Sequence, residues 1–240
     1  MNPSWRKTIL PLTIALLFIA LTAIIAVAIP HSAVETAGRN SPAEILVIDA
    51  GHGGLDGGAV SADGYRESEI NLDVARRLFD LCSFFGKSCA MTRDSEALPY
   101  PPEAVSVREK KTWDQKRRVL MINAAEDAVL FSIHQNLYPD PRPSGTQVLY
   151  AATDGSAELG VLTHQNLLSC LCPDNRRLAI PAADSIYLLK SVNCPAILVE
   201  CGFLSNPEET QKLVSPAYQK AIAAILCASY LQYRSAYRSL

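Results

Sequence analysis

The chain has 240 residues, of which 49% are hydrophobic and 19% are charged, and its formal net charge is −2. This composition is typical of a folded globular domain and excludes a disordered chain. The charge balance provides no overall basic surface, which argues against a nucleic acid partner. The length suits one domain of good size or two small ones.

The N-terminus differs from the rest of the chain. Residues 1–7 form a basic flank with two positive charges and no acidic residue, and an uncharged run follows at residues 8–29. A helix of that length, rising about 1.5 Å per residue, spans the core of a bilayer. The run is too long and too uniformly apolar for a buried core helix. Because the basic flank stays cytoplasmic, we expect the following chain to lie outside the cytoplasm.

Two fates of the apolar run stay open. Its length favours an uncleaved signal anchor, whereas Ala26, Val27 and Ala28 fit the small-residue cleavage site of a signal peptide. Either fate makes the protein extracytoplasmic, as a membrane-anchored or a secreted chain. Residues 30–43 are polar and unpatterned, and we expect them to form a linker.

Strand and helix patterns alternate from residue 44 onward. For example, Ile70, Val74 and Leu78 have the spacing of a buried helix face, and Gly86 ends that helix. Such alternation predicts an α/β fold, in which helices cover a sheet. The predicted strands are 44–49, 87–93, 128–133, 146–152 and 195–200, and the predicted helices are 69–85, 110–125, 156–171 and 216–233, with a proline-containing surface loop at 94–110.

Seven cysteines form no CxxC pair, and their odd number leaves at least one unpaired unless two chains are linked. Most lie in apolar segments, as Cys82 and Cys227 do. We therefore expect buried thiols that pack as small hydrophobic side chains.

Polar residues follow three of the predicted strands. Asp49 and His52 follow the first, His134 and Asn136 the third, and Glu200 ends the last. Ligands of α/β sheets gather at the carboxyl ends of the strands. Two neutral imidazoles suit Zn²⁺, which in catalytic sites takes three protein ligands and leaves one position open. The sequence therefore predicts a zinc site that includes His52 and His134.

The third zinc ligand is not settled by spacing alone. Glu67 lies where the second predicted element begins, so its side chain can turn back towards the strand ends, while Asp56 lies on the glycine loop and is less well placed. The carboxylates near His52 that enter the choice are Asp56, Asp63, Glu67 and Glu69.

Glu200 ends an apolar run, where an unpartnered carboxylate is costly to bury. It fits a general base beside a metal, and the alternative is a structural carboxylate in a cap or an ion pair. The glycine loop GHGGLDGG could also bind phosphate, but it lacks both phosphate-loop patterns and a following lysine, and Asp56 would repel an anion.

Four motifs in order carry a family resemblance. The stretches IDAGHGGLDGGAV, ESEINLDVA, LFSIHQN and PAILVECGFLSNPEE, with TR at 92–93 and RVLMIN at 118–123, resemble the zinc-dependent N-acetylmuramoyl-L-alanine amidases of bacterial cell walls. The match runs from residue 45 to about 232. The size, the N-terminal segment and the proline-rich insert look most similar to the germination amidases of spore formers, which act on cortex peptidoglycan.

The resemblance implies a site and a reaction. The zinc ligands would be His52, Glu67 and His134, and Glu200 would be the catalytic residue of a domain at 44–235. The implied fold is a mixed, mostly parallel sheet of about six strands flanked by helices. The implied reaction hydrolyses the amide between N-acetylmuramic acid and L-alanine, in cortex maturation and germination, where muramic lactam forms. Ala50, Gln135 and Cys201 depart from the usual pattern, but none removes a ligand.

Three further residues in matching motifs, Asn136, Arg118 and Asn206, are candidates for substrate binding. Arg118 would contact stem-peptide carboxylates or would be a helix-surface arginine. The implied partners are peptidoglycan, the membrane through the N-terminal segment and an accessory protein, and the implied location includes the intermembrane space of the developing spore. The alternatives are a zinc peptidase that cuts within stem peptides and a non-catalytic wall-binding module.

Overall fold

A computed structural model describes residues 44–237 of the chain. The predicted basic flank, signal segment and linker, at 1–7, 8–29 and 30–43, lie outside the described residues. Within the described part, none of the helices has both the length and the apolar character needed to cross a membrane.

A six-stranded sheet forms the centre of the domain, in the order β2-β1-β3-β6-β4-β5. All neighbouring strands are parallel except β4 and β6, which pair antiparallel. The predicted α/β class and the mixed, mostly parallel sheet are therefore confirmed. The strands are β1 (Ile45–Ala50), β2 (Ser88–Met91), β3 (Ala128–Asn136), β4 (Gln147–Tyr150), β5 (Ile180–Pro181) and β6 (Ala196–Phe203).

Helices cover both faces of this sheet. One face packs against α1, α3 and α6, and the other against α2 and α4. Both faces are apolar because a parallel sheet covered by helices has no solvent-facing side. The helices are α1 (Glu67–Phe84), α2 (Val107–Asn123), α3 (Ser156–Leu171), α4 (Tyr187–Ser191), α5 (Pro207–Leu213) and α6 (Pro216–Tyr237).

β3 illustrates how the continuous apolar runs are used. Val129, Phe131 and Ile133 pack into the core under α1 and α6, while Ala128 and Leu130 pack into the core under α2 and α4. Alternate residues of a strand point to opposite faces, so a strand that is buried on both sides is apolar at most positions, and its buried polar residues need hydrogen-bond partners. The polar residues at its end mark where the strand leaves the core.

The helix boundaries differ from the predicted ones where capping chemistry decides them. α2 begins at Val107 rather than at 110, because Ser106 and Glu109 form a capping box, in which each side chain bonds the backbone N–H of the other residue. α1 begins at Glu67 rather than at 69. The short elements β5, α4 and α5 were not predicted, since two to seven residues carry too little periodicity.

The cysteines are all free in the described part of the chain, and four of the seven are buried, which agrees with the prediction of apolar thiols. Cys201 is buried on the face of β6 that packs under α6. Glu200 precedes it and points to the other face, as alternation along a strand requires.

We predict that Ser106→Ala lowers the free energy of unfolding by about 1 kcal/mol, because the backbone N–H of Glu109 loses its cap. Urea denaturation followed by circular dichroism measures this change. Thr112→Ala, at an exposed position within the same helix, is the matched control and should not destabilise the protein. Equal midpoints for Ser106→Ala and the wild type would contradict the proposed cap.

Candidate active site

The carboxyl ends of β1, β3 and β6 meet at one edge of the sheet. These strands are adjacent and parallel, and their register places His134 of β3 directly opposite Glu200 of β6. The loop after β1 carries His52 to the same edge. Sheet topology therefore brings together polar residues that are far apart in the sequence.

Three side chains form a compact cluster at this edge. The carboxylate of Glu67 lies between two imidazoles, with Oε2 at 3.3 Å from Nε2 of His52 and Oε1 at 3.0 Å from Nδ1 of His134. The donor atoms of all three residues lie within 4.8 Å of one another. Two histidines and one carboxylate are a donor set typical of catalytic zinc, so the side chains present fit that ion.

Glu67 is fixed by its surroundings. It is the first residue of α1 and is only 3% exposed. Its Oε2 accepts the N–H of Ala59 at 2.8 Å, and its Oε1 accepts the N–H of Gln135 at 3.0 Å. Burial raises the pKa of Glu67, but the hydrogen bonds to the two histidines outweigh burial and hold this pKa well below its ordinary value. The carboxylate therefore stays ionised and points into the cluster.

The other carboxylates weighed as ligands lie elsewhere. Asp63 and Glu69 are exposed, and the Nε2 of Gln211 donates to Asp63 at 3.3 Å. Asp56 contacts the opposite nitrogen of His52, with Oδ2 at 3.0 Å from Nδ1, and the same oxygen lies 3.0 Å from Nζ of Lys111. The structure thus gives Asp56 the position of a residue that orients the His52 ring.

The contact with Asp56 determines which way the His52 ring faces. With Nδ1 turned to Asp56, Nε2 faces Glu67 and the cluster. Burial lowers the pKa of His52, but its hydrogen bonds to Asp56 and Glu67 outweigh burial and raise this pKa to about 9. A carboxylate behind a ligating histidine fixes the tautomer and increases the basicity of the ring. The sequence pattern suggested Asp56 as a candidate metal ligand but did not predict this orienting role.

Two glycines of the loop allow the cluster to form. A side chain at Gly51 would bring its Cβ to 2.3 Å from Nε2 of His134, so the imidazole packs directly on the backbone. A Cβ at Gly58, where φ is +67°, would lie 2.5 Å from Oε2 of Glu67. The glycines that suggested a phosphate-binding loop are needed for the close packing of His134 and Glu67 against the loop backbone.

Glu200 is the catalytic candidate, and its surroundings are unusual. Its Oε2 is buried and has no hydrogen-bond partner among the described residues. Burial, partly offset by the charge of His134, raises the pKa of Glu200 to about 7. A carboxylate with a pKa near neutrality, beside a cluster of metal-ligand type, has the properties of a general base.

Arg118 lies beneath the site. It is 4% exposed, and its guanidinium donates to Asp49 and the carbonyl of Ala50, each at 2.6 Å, to Asp114 at 2.7 Å and to the carbonyl of His52 at 2.5 Å. The expectations that it contacts substrate or lies on the helix surface do not fit this placement, because its donors are engaged inside the protein. Arg118 instead fixes the backbone that carries His52.

The partner of Arg118 is a fully buried carboxylate. Asp49 also accepts hydrogen bonds from Thr92 at 2.6 Å and from Ser132 at 2.7 Å. Burial raises the pKa of Asp49, but the charge of Arg118 and the bonds from Ser132 and Thr92 hold this pKa well below its ordinary value. The lowered pKa stabilises the folded protein at neutral pH, and that contribution is lost progressively as the pH falls below the ordinary pKa of an aspartate towards the lower pKa of the folded state.

Arg93 is a second buried arginine that sequence analysis did not assign. Its Nε donates to the carbonyl of Ala50 at 2.8 Å, and its Nη2 donates to the carbonyls of Gly51 at 3.1 Å and Ser68 at 2.7 Å. Arg93 therefore connects the end of β1 to the beginning of α1, from which Glu67 points. The sequence contained a signal for this role, because the Thr-Arg pair at 92–93 directly follows β2 and places an arginine at the end of a strand.

The two asparagine candidates differ. Asn206 caps α5 through bonds from the N–H groups of Glu208 and Glu209, and its Nδ2 donates to the carbonyl of Pro143, so its polar atoms are used within the protein. The candidate role of Asn206 in substrate binding stays a prediction. Asn136 ends β3, and its side-chain amide makes no hydrogen bond to another described residue.

Comparison with known proteins identifies the family. The family model described as N-acetylmuramoyl-L-alanine amidase matches residues 46–229, a range that contains every residue of the site. The chain belongs to the N-acetylmuramoyl-L-alanine amidase family. Family membership confirms the predicted enzyme class, an amidase that acts on peptidoglycan.

Individual relatives of this amidase support the assignment. The chain is 34% identical to the germination-specific N-acetylmuramoyl-L-alanine amidase of Bacillus subtilis over 190 residues, which cover 79% of each protein. It is similar to the solved CwlD amidase of Clostridioides difficile in complex with the GerS lipoprotein, with a TM-score of 0.77 at 32% identity over 80% of this chain and 98% of that one. A second amidase structure, from Clostridium difficile 630, gives a TM-score of 0.70 at 30% identity over 81% and 98%.

We predict that Asp56→Asn weakens Zn²⁺ binding by this amidase about 10- to 100-fold, because the His52 ring loses the carboxylate that orients it. Competition with a chromophoric chelator measures the affinity without relying on activity. Asp63→Asn is the control, because Asp63 is an exposed residue of the same loop between β1 and α1, and this variant should bind zinc as the wild type does. Unchanged affinity in Asp56→Asn would contradict the orienting role.

Proposed function

We propose that this amidase is zinc-dependent, with His52, Glu67 and His134 as metal ligands and Glu200 as the general base. The observation that carries the proposal is the unpartnered, buried Oε2 of Glu200 at the strand position opposite His134, a ligand in the preassembled cluster. When bound, a zinc ion would supply Lewis-acid polarisation of the scissile carbonyl and would make water more acidic.

The protein's own groups account for the proton movements. Glu200, ionised, accepts a proton from the attacking water as the water oxygen adds to the lactyl carbonyl of N-acetylmuramic acid. The same carboxyl group then delivers that proton to the nitrogen of L-alanine as the C–N bond breaks. A pKa near 7 suits both steps, since the group has to accept and release a proton within one turnover.

The surrounding residues position this chemistry. Asp56 orients His52, and Arg118 and Arg93 hold the backbone on either side of it. We assign Asn136 to substrate binding, because its free amide lies at the same strand end as His134 and can bond a carbonyl or hydroxyl of the substrate.

We further propose that the substrate is spore cortex peptidoglycan and that an accessory protein participates. The similarity to a germination-specific amidase and to an amidase solved with a lipoprotein supports this assignment. The apolar run at 8–29 would act as an anchor or a signal peptide and place the domain outside the cytoplasm.

The experiment that tests the function is digestion of purified cortex peptidoglycan by the full chain in mild detergent, with zinc and with a chelator. We expect zinc-dependent release of intact stem peptides that carry a free L-alanine amine, detected by mass spectrometry. Release of stem-peptide fragments would favour a zinc peptidase instead. Product release that is unaffected by the chelator would contradict zinc dependence. A parallel reaction with added host extract is the control for a missing accessory protein.

We predict that Glu200→Gln retains zinc but loses at least about 10²-fold in kcat, because an amide cannot accept the proton. Zinc content by mass spectrometry and turnover are measured on the same sample. Glu126→Gln, an exposed glutamate before β3 and away from the cluster, is the control and should retain normal turnover. An active Glu200→Gln would refute the assignment of the base.

We predict an acid limb in the pH profile of kcat/KM. Glu200 has to be ionised, so kcat/KM should fall about tenfold per pH unit below the pKa of about 7 and level off above it. A cation held nearby lowers that pKa, so the midpoint should lie at or below pH 7. A midpoint above about pH 8 would contradict the assignment. Thermal melting at each pH controls for unfolding.

A further inference from the structure

A large cavity lies at the same edge of the sheet as the candidate active site but outside its ligand cluster. Its volume is about 830 Å³, which is within the size range of ligand pockets. Three segments line it: the loop before β4, the end of α3 with the turn after it, and α5. We call it the arginine cavity, after Arg142, Arg176 and Arg177 in its lining.

The sheet register places this cavity close to Glu200. Gln147 of β4 lies opposite Glu200, so Gly145 is two residues beyond it, and Phe203 is three residues further along β6. The N–H groups of Gly145 and Phe203 both donate to Oε2 of Glu209, at 2.8 and 3.2 Å. At about 3.3 Å per residue, this wall of the cavity begins about 7–10 Å from Glu200 along the strands.

Charge distinguishes the arginine cavity. Four cations line it, and Arg142 pairs with Asp140, but the ion pairs formed by residues 44–237 include none of Arg176, Arg177 and Lys212. Three carboxylates also contribute to the lining, Asp174, Glu208 and Glu209. The first two are exposed, and Glu209 is buried and turned to the backbone. Three cations of the lining therefore form no ion pair among the described residues, and two exposed carboxylates lie in the same lining.

Arg177 is held in place before any ligand binds. Its guanidinium lies over the ring of Phe203, with Cζ at 4.9 Å from the ring centre. Its Nη1 donates to the carbonyl of Ser144 at 2.5 Å and to Oδ1 of Asn175 at 3.2 Å. Its Nε and Nη2 make no hydrogen bond to a described residue. This free edge of the guanidinium is a fork that binds a carboxylate with two parallel hydrogen bonds.

We propose that the arginine cavity binds the carboxylates of an acidic stem peptide, with Arg177 as the two-bond anchor. The inference rests on the proposed function, because that function places the scissile amide near Glu200, and the stem peptide extends from this amide. An extended peptide advances about 3.3–3.6 Å per residue. Carboxylates two to three residues from the scissile amide therefore lie about 7–10 Å from it, which matches the distance from Glu200 to the cavity wall. The amidase would thereby select stem peptides that carry a carboxylate two to three residues from the scissile amide.

The test compares two substrates for the full chain: an N-acetylmuramoyl tetrapeptide with free carboxylates, and the same compound with those carboxylates amidated. Arg177→Lys keeps the charge but loses the fork, and it should raise KM for the acidic substrate about tenfold while kcat stays constant. The amidated substrate should be hydrolysed equally by Arg177→Lys and the wild type. Arg108→Ala, an exposed arginine at the beginning of α2, is the matched control and should change neither substrate.

Two outcomes would overturn the proposal: an unchanged KM in Arg177→Lys, or an equal loss with both substrates. Thermal melting and zinc content separate these outcomes from misfolding. If the wild type hydrolyses neither substrate even with host extract added, the proposed function fails, and calorimetric binding of the free acidic tetrapeptide tests the cavity by itself. Binding that Arg177→Lys weakens supports the cavity, whereas equal binding, or none to the wild type, overturns it.

Discussion

The ionised carboxylate of Glu67, buried between two imidazoles, is the interaction on which the site depends. A buried charge is costly unless hydrogen bonds and opposite charges surround it. Here backbone N–H groups of Ala59 and Gln135 and the two histidines surround the carboxylate. The same contacts fix the direction of the carboxylate lone pairs, so the groups that stabilise the charge also hold the three side chains in an arrangement that could bind a metal ion.

Two buried arginines hold the backbone segments that carry His52 and Glu67 in place. Arg93 connects the end of β1 to the first turn of α1, and Arg118 connects β1 to α2 through Asp49 and Asp114. Neither guanidinium is available to substrate. The recognition of an acidic peptide that we propose therefore depends on cations outside the cluster of His52, Glu67 and His134, such as the free guanidinium edge of Arg177.

Sequence reasoning predicted the parts of the site that depend on strand ends. His134 and Glu200 end apolar runs, and parallel neighbours have to bring such ends to one edge. The choice of Glu67 came from the family resemblance, because spacing alone left Asp56 open. Asp56 and Arg118 acquire their roles through contacts with His52, whose loop conformation, with φ of +61°, no periodic pattern encodes.

X-ray absorption at the zinc edge of the purified full chain tests the central claim most directly. The account predicts about one bound zinc per chain with two imidazole ligands and oxygen ligands at about 2.0–2.2 Å, and loss of that signal in Glu67→Ala. A zinc–sulfur shell at about 2.3 Å, or an unchanged spectrum in Glu67→Ala, would contradict it.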